Sequence, residues 1–174
     1  VVALTDLLSW LELTTPQRSR RVIVPDSYLI PWYPTGTQAG AVAWTTNNRA
    51  IYIPFHVAQP ITVEQMMINV TTSSGNLDIG IYNAATLARI VSSGSIAVGS
   101  TGLQAVNITD TRLAKGRYYA ALAMSTTGAA ITQASIAGAG LAALLGFRQE
   151  ASALPLPATA TPVVPSSQIV PIIG

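Results

Sequence analysis

From Arg49 onward the chain is written in short runs that alternate apolar and polar residues, and this period of two restricts its fold more than any other feature. Ile51, Ile53, Phe55 and Val57 fall on one face of a strand, with Tyr52 and His56 on the other. In the next run, 61–72, Met66, Ile68 and Val70 alternate with Met67, Asn69 and Thr71. Ser73-Ser74-Gly75-Asn76 is turn chemistry, after which Leu77, Ile79 and Ile81 alternate with Asp78, Gly80 and Tyr82. Runs at 87–98, 103–109 and 117–126 continue the pattern, and in the last of them Tyr118, Ala120, Leu122 and Met124 share a face. By the same parity Tyr82 and Tyr119 are expected to face outward. Short strands at near-regular spacing, with Gly/Ser/Asn turns and no long helix between them, predict an all-β domain over 49–153. The expected form is an antiparallel jelly-roll-like β-sandwich with a short N-terminal helix and extended arms at both ends.

The flanks read differently. Leu4, Leu7, Leu8 and Leu11 stand at i, i+3, i+4 and i+7, the stripe of an amphipathic helix with Thr5 or Asp6 as its cap. Thr14-Thr15-Pro16 ends it, and a basic linker closes the segment 1–21, whose leucines either pack on their own domain or make the oligomer or attachment contacts. Residues 22–48, with Pro25, Pro31, Trp32, Tyr33, Pro34 and Trp44, show no sustained period and predict an extended arm. Within 134–147, Ala and Leu favour helix while Gly138, Gly140 and Gly146 oppose it, which predicts a loop with one helical turn. The tail, 154–174, carries five prolines and is expected to run extended. Its end, Ile169-Val170-Pro171-Ile172-Ile173, is too apolar to float free and should lie on the domain or on a neighbour.

Only 9% of the 174 residues are charged while 49% are hydrophobic, against roughly 25% charged in an average soluble domain. The surface must therefore be built from Thr, Ser, Asn and small apolar residues, which fits an exterior partly covered by copies or partners. No run reaches the roughly 18 apolar residues of a transmembrane helix, so no membrane insertion is expected. The chain opens at Val1 with no charged leader, as expected of a processed or trimmed start. The absence of cysteine excludes disulfides, a thiol nucleophile and a cysteine-ligated metal. With a net charge of +2 and one short basic cluster, Arg18-Ser19-Arg20-Arg21, nucleic acid is not an expected partner.

Catalytic chemistry finds little to work with. A triad would depend on His56, the one histidine, and no G-x-S-x-G frames a serine. The seven acids are scattered, none with another within five residues, so neither a calcium loop nor a metal cluster is expected. Asp78 and Asp110 read as solvated acids. Gly138-Ala139-Gly140 follows no strand-then-helix unit and is not a dinucleotide loop. Asn69-Val70-Thr71 and Asn107-Ile108-Thr109 match the glycosylation triplet but fall within predicted strands. The chain is accordingly expected not to be an enzyme and to need no cofactor. Trp32, Tyr33 and Trp44 are the candidate ligand-binding residues, because sugar rings stack on exposed aromatic faces; the alternative is that they are buried anchors.

Tyr52-Ile53-Pro54-Phe55 leading to Gln59-Pro60-Ile61-Thr62-Val63, then Asp78-Ile79-Gly80-Ile81-Tyr82, Leu113-Ala114-Lys115-Gly116-Arg117-Tyr118-Tyr119 and the tail Leu154-Pro155-Leu156-Pro157-Ala158-Thr159-Ala160 form a pattern. The pattern resembles a β-sandwich domain of tailed-bacteriophage minor tail and tail-fibre proteins. The resemblance covers about two thirds of the chain, excludes 1–46, and carries over no catalytic residue. It implies a virion structural protein, a tail-fibre or appendage subunit. Such a subunit assembles as a homo-oligomer, with a trimer as the expected form, contacts other virion proteins and takes host-surface carbohydrate as its candidate external ligand. A carbohydrate-binding module and a capsid or decoration protein are the alternatives.

Overall fold

The computed structural model describes residues 40–135, 139–166 and 169–174. The expected helix bearing Leu4, Leu7, Leu8 and Leu11 lies outside the described residues, as do Trp32 and Tyr33.

The described chain is all-β with two antiparallel sheets. One sheet orders β1 (Ala41–Ala43), β9 (Ala130–Ser135), β3 (Ile61–Thr72) and β7 (Gly102–Leu113), with β11 (Ile169–Pro171) also pairing to β9. The other orders β10 (Arg148–Glu150), β2 (Arg49–Val57), β8 (Gly116–Met124), β4 (Asn76–Asn83) and β5 (Arg89–Ser92), with β6 (Ile96–Ala97) on β4. We call these sheets I and II. The chain changes sheet at short turns, from β3 to β4 through 73–75 and from β7 to β8 through Ala114-Lys115. Gly75 makes the first turn possible: its φ is +64°, and a Cβ there would lie 2.3 Å from Ser125 Oγ.

The faces that alternation assigns to the interior are the ones that meet. Ile51 and Ile53 of β2, Leu77 and Ile79 of β4, and Leu122 and Met124 of β8 pack against Met66, Ile68 and Val70 of β3, Val106 and Ile108 of β7 and Ile131 of β9. The segment 134–147 holds the expected helical piece, α1 (Ala139–Leu144), which ends in a turn where Gly146 has φ +87°.

Both expected arms turn out to contribute to the sandwich. Residues 41–43 form an edge strand, and Trp44 follows it into the core with its indole N–H donating to Arg49 O at 3.2 Å. The tail runs over sheet II, bridges Gln149 through Val163, then pairs with β9 through β11, and Met67 and Gly174 exchange backbone hydrogen bonds at 2.6 and 3.0 Å. The tail thus lies on its own domain.

Candidate functional site

Strand alternation leaves one row of side chains on the outer face of sheet II: Ala50 and Tyr52 from β2, Asp78, Gly80 and Tyr82 from β4, and Tyr119, Ala121 and Ala123 from β8. By parity this row should be wet. It is instead a second core, in which Ala50, Tyr52, Tyr82, Ala121 and Ala123 are inaccessible and pack with Ala153, Leu156 and Ala160 of the tail. The expectation that Tyr82 faces solvent is corrected, and Tyr119 is half-buried at the margin of the same cluster. The cause is the strap formed by residues 153–161. Small side chains on β2 and β8 make a flat floor on which a backbone can lie close, and Leu156 fills the space between the tyrosines. The Tyr52 and Tyr82 rings meet edge to face at 5.3 Å, and Tyr52 meets Tyr119 likewise at 6.3 Å.

The polar groups of this face hold the strap by its main chain. The Leu156 N–H donates to Asp78 Oδ2 at 2.9 Å, the Tyr82 hydroxyl donates to Pro157 O at 2.6 Å, and the Arg89 guanidinium donates to Leu156 O. Two backbone bonds continue the attachment, Arg89 N–H to Ala158 O at 2.8 Å and Ala160 N–H to Leu87 O at 2.9 Å. At the return of the strap Glu150 accepts from the Tyr52 hydroxyl at 2.6 Å, from Thr161 N–H at 3.1 Å and from Thr161 Oγ1 at 2.9 Å.

Burial governs the titration of these groups. Asp78 is fully inaccessible, not the solvated acid expected, and desolvation pushes its carboxyl above the ordinary range. The Leu156 N–H, the serines of β5 and its following turn, and Arg89 oppose that shift. Desolvation likewise raises the Tyr52 and Tyr82 hydroxyls, and the bond to Glu150 adds to it for Tyr52. Because the folded state holds the Asp78 proton more tightly than the unfolded chain, that contribution to stability is complete below the unfolded value, near about 3.9. It is lost as pH rises through the raised folded value. Asp78→Asn, which keeps an acceptor for Leu156 N–H without ionising, should therefore gain on the parent as pH rises from about 4 to about 7. Urea midpoints of both proteins across that range test this, and a difference that is flat or shrinks with rising pH would refute it.

Among the expected site residues within the described chain, Trp44 is a buried anchor, 1% exposed, and offers no face for a sugar to stack on. Its place directly after an edge strand, in a Pro/Trp-rich stretch, gave no period from which burial could be read. His56 is exposed on β2 opposite Arg117, with no hydroxyl or carboxylate among the described residues hydrogen-bonded to it. The acids of the described residues do not converge: no group of three or more His, Asp or Glu there is placed to hold a metal ion. Among the described residues no helix is long and apolar enough to cross a membrane. Sequence reasoning missed Asp78, Arg89 and Glu150 as a set, although the alanines at 50, 121 and 123 on a nominally wet face were a readable sign that something covers it. Comparison with known proteins finds no family model, no curated protein and no solved structure that matches the chain.

Proposed function

We propose that the chain is a non-enzymatic structural subunit that assembles with copies of itself, as a tail-fibre or appendage component of a bacteriophage particle. The observation that supports this reading is the occupation of the strap face. Asp78, Tyr52, Tyr82 and Glu150, the groups of the second core with chemistry to offer, are all engaged in fastening one part of the chain to another. The segments in which the resemblance lies fall on the same unit, since Tyr52, Asp78, Tyr82 and Tyr119 meet Leu156 and Ala160 there. That is a pattern of architecture, in keeping with a module whose product is a shape. Self-association is favoured by apolar side chains in water, with Leu103 69% and Leu144 82% exposed on a charge-poor exterior. In this reading Leu4, Leu7, Leu8 and Leu11 bundle between copies and carry the attachment.

Light scattering of the chain with and without residues 1–21 tests the proposal. The expected result is an oligomer that falls to a monomer on truncation; a monomer in both cases would overturn it.

A further inference from the structure

We infer that two copies pair through the outer face of sheet I, each presenting the same face to the other. This rests on the assembly reading above and names a surface that the assembly uses. The alternation that sends Met66, Ile68 and Val70 of β3 and Val106 and Ile108 of β7 into the core turns the residues between them outward. They stand in the register Gln65↔Asn107, Met67↔Ala105 and Asn69↔Leu103. Thr132 of β9 and Ala41 and Ala43 of β1 extend the same face, on which the Asn69 amide donates to Thr132 Oγ1 at 2.8 Å. On sheet II the outward alanines lie under the chain's own strap. On sheet I Ala41, Ala43, Asn69, Ala105 and Asn107 are exposed, and Leu103 is 69% exposed.

The chemistry of this face suits its own image. No charged residue occurs in β1 or β9, in 65–72 of β3 or in 102–109 of β7; Glu64, Asp110 and Arg112 stand together at one end. Two copies that meet through one face bring like residues together near the axis, and a neutral face avoids the repulsion that a charged one would meet there. The polar groups it does carry, on Gln65, Asn69, Asn107 and Thr109, are amides and hydroxyls, each both a donor and an acceptor. Each is therefore able to pair with the same group of a second copy, which a carboxylate or an ammonium is not.

Its area also fits a pair. Sheet I presents 12 residues of β3, 12 of β7, 6 of β9 and 3 each of β1 and β11. With a rise of about 3.3 Å and a strand spacing of about 4.8 Å, each residue occupies about 16 Å² and the face about 570 Å². Two such faces bury about 1,100 Å², just past the roughly 1,000 Å² expected of a biological interface. A contact of that size is weak alone and holds when 1–21 already joins the copies, because tethering supplies an effective concentration of about millimolar. Pairing by one shared face gives an even number of copies, in place of the trimer that the resemblance implies.

The lack of cysteine in the chain gives a direct test, since one introduced thiol reports on one place. Full-length Ala105→Cys and Ala85→Cys chains are labelled with a maleimide while light scattering gives the copy number. Ala105 marks the middle of the face, and Ala85 lies in the exposed turn after β4 of the other sheet. In the oligomer the Ala105→Cys thiol should react at least ten-fold more slowly than the Ala85→Cys thiol, and dilution to the monomer should restore its rate. Equal rates in the oligomer, or an odd copy number, would overturn the pairing and leave the assembly reading standing. Protection that survives dilution to the monomer would mean that the chain covers this face itself, which overturns the pairing too. A chain that is monomeric at every concentration removes the assembly reading and the pairing together.

Discussion

Trp44→Ala should lower the unfolding free energy by about 3–5 kcal/mol, the usual cost of truncating a buried large aromatic. Against a total of about 5–15 kcal/mol for a domain, that is enough to leave much of the population unfolded under mild denaturant. The indole fills core volume beside β1, and its N–H bonds Arg49 O while its backbone N–H bonds Ala129 O at 2.8 Å. The variant therefore opens a cavity and leaves the Arg49 carbonyl without that donor. Trp44→Phe keeps most of the volume and should retain more than half of the lost stability. Urea unfolding checks both, read as a midpoint shift at constant slope. A Trp44→Ala protein as stable as the parent would place the indole outside the core and restore it as a candidate sugar platform.

Leu156→Ala is the second large effect, at about 2–5 kcal/mol, and its interest lies in where the loss appears. Leu156 is the strap's largest fully buried anchor, 1% exposed, and the residue whose N–H meets Asp78. Truncating it weakens the anchor at the point where a desolvated carboxyl depends on the strap for a donor. If the strap is integral to the sandwich, the amide of Leu156 exchanges hydrogen only through global unfolding, and the midpoint of the whole domain moves. If the strap opens by itself, exchange at Leu156 and Ala160 accelerates while the β2, β4 and β8 amides keep their protection. An unchanged midpoint together with unchanged exchange would show that Leu156 contributes no stability.

The inter-sheet core was legible from sequence because alternation needs only neighbours two residues apart. Ile51, Ile53, Leu77, Ile79, Leu122 and Met124 reveal one face of their strands wherever the rest of the chain goes. What covers the other face is a separate question, and periodicity cannot answer it. Asp78 and Tyr82 alternate with isoleucines as solvent-facing residues do, yet their partners Leu156 and Pro157 come 78 and 75 residues later. No local signal spans that separation. The prolines of 154–174 showed an extended segment but not its destination, and the arm before Arg49 hid an edge strand because three residues are too few to display a period. The candidate site was legible only in negative form, as small side chains where large polar ones were due.

The strap follows every strand whose outer face it covers. In a chain made from its N-terminus, β2, β4 and β8 can align while Tyr52, Tyr82 and the Asp78 carboxyl still face water, so sheet II passes through a stage with one finished and one unfinished surface. A chain interrupted before Leu156 displays Tyr52, Tyr82 and Asp78, which a complete copy buries. That surface distinguishes unfinished copies from finished ones, and it makes delivery of the strap the event that closes the outer face of sheet II, ahead of the pairing of β11 with β9.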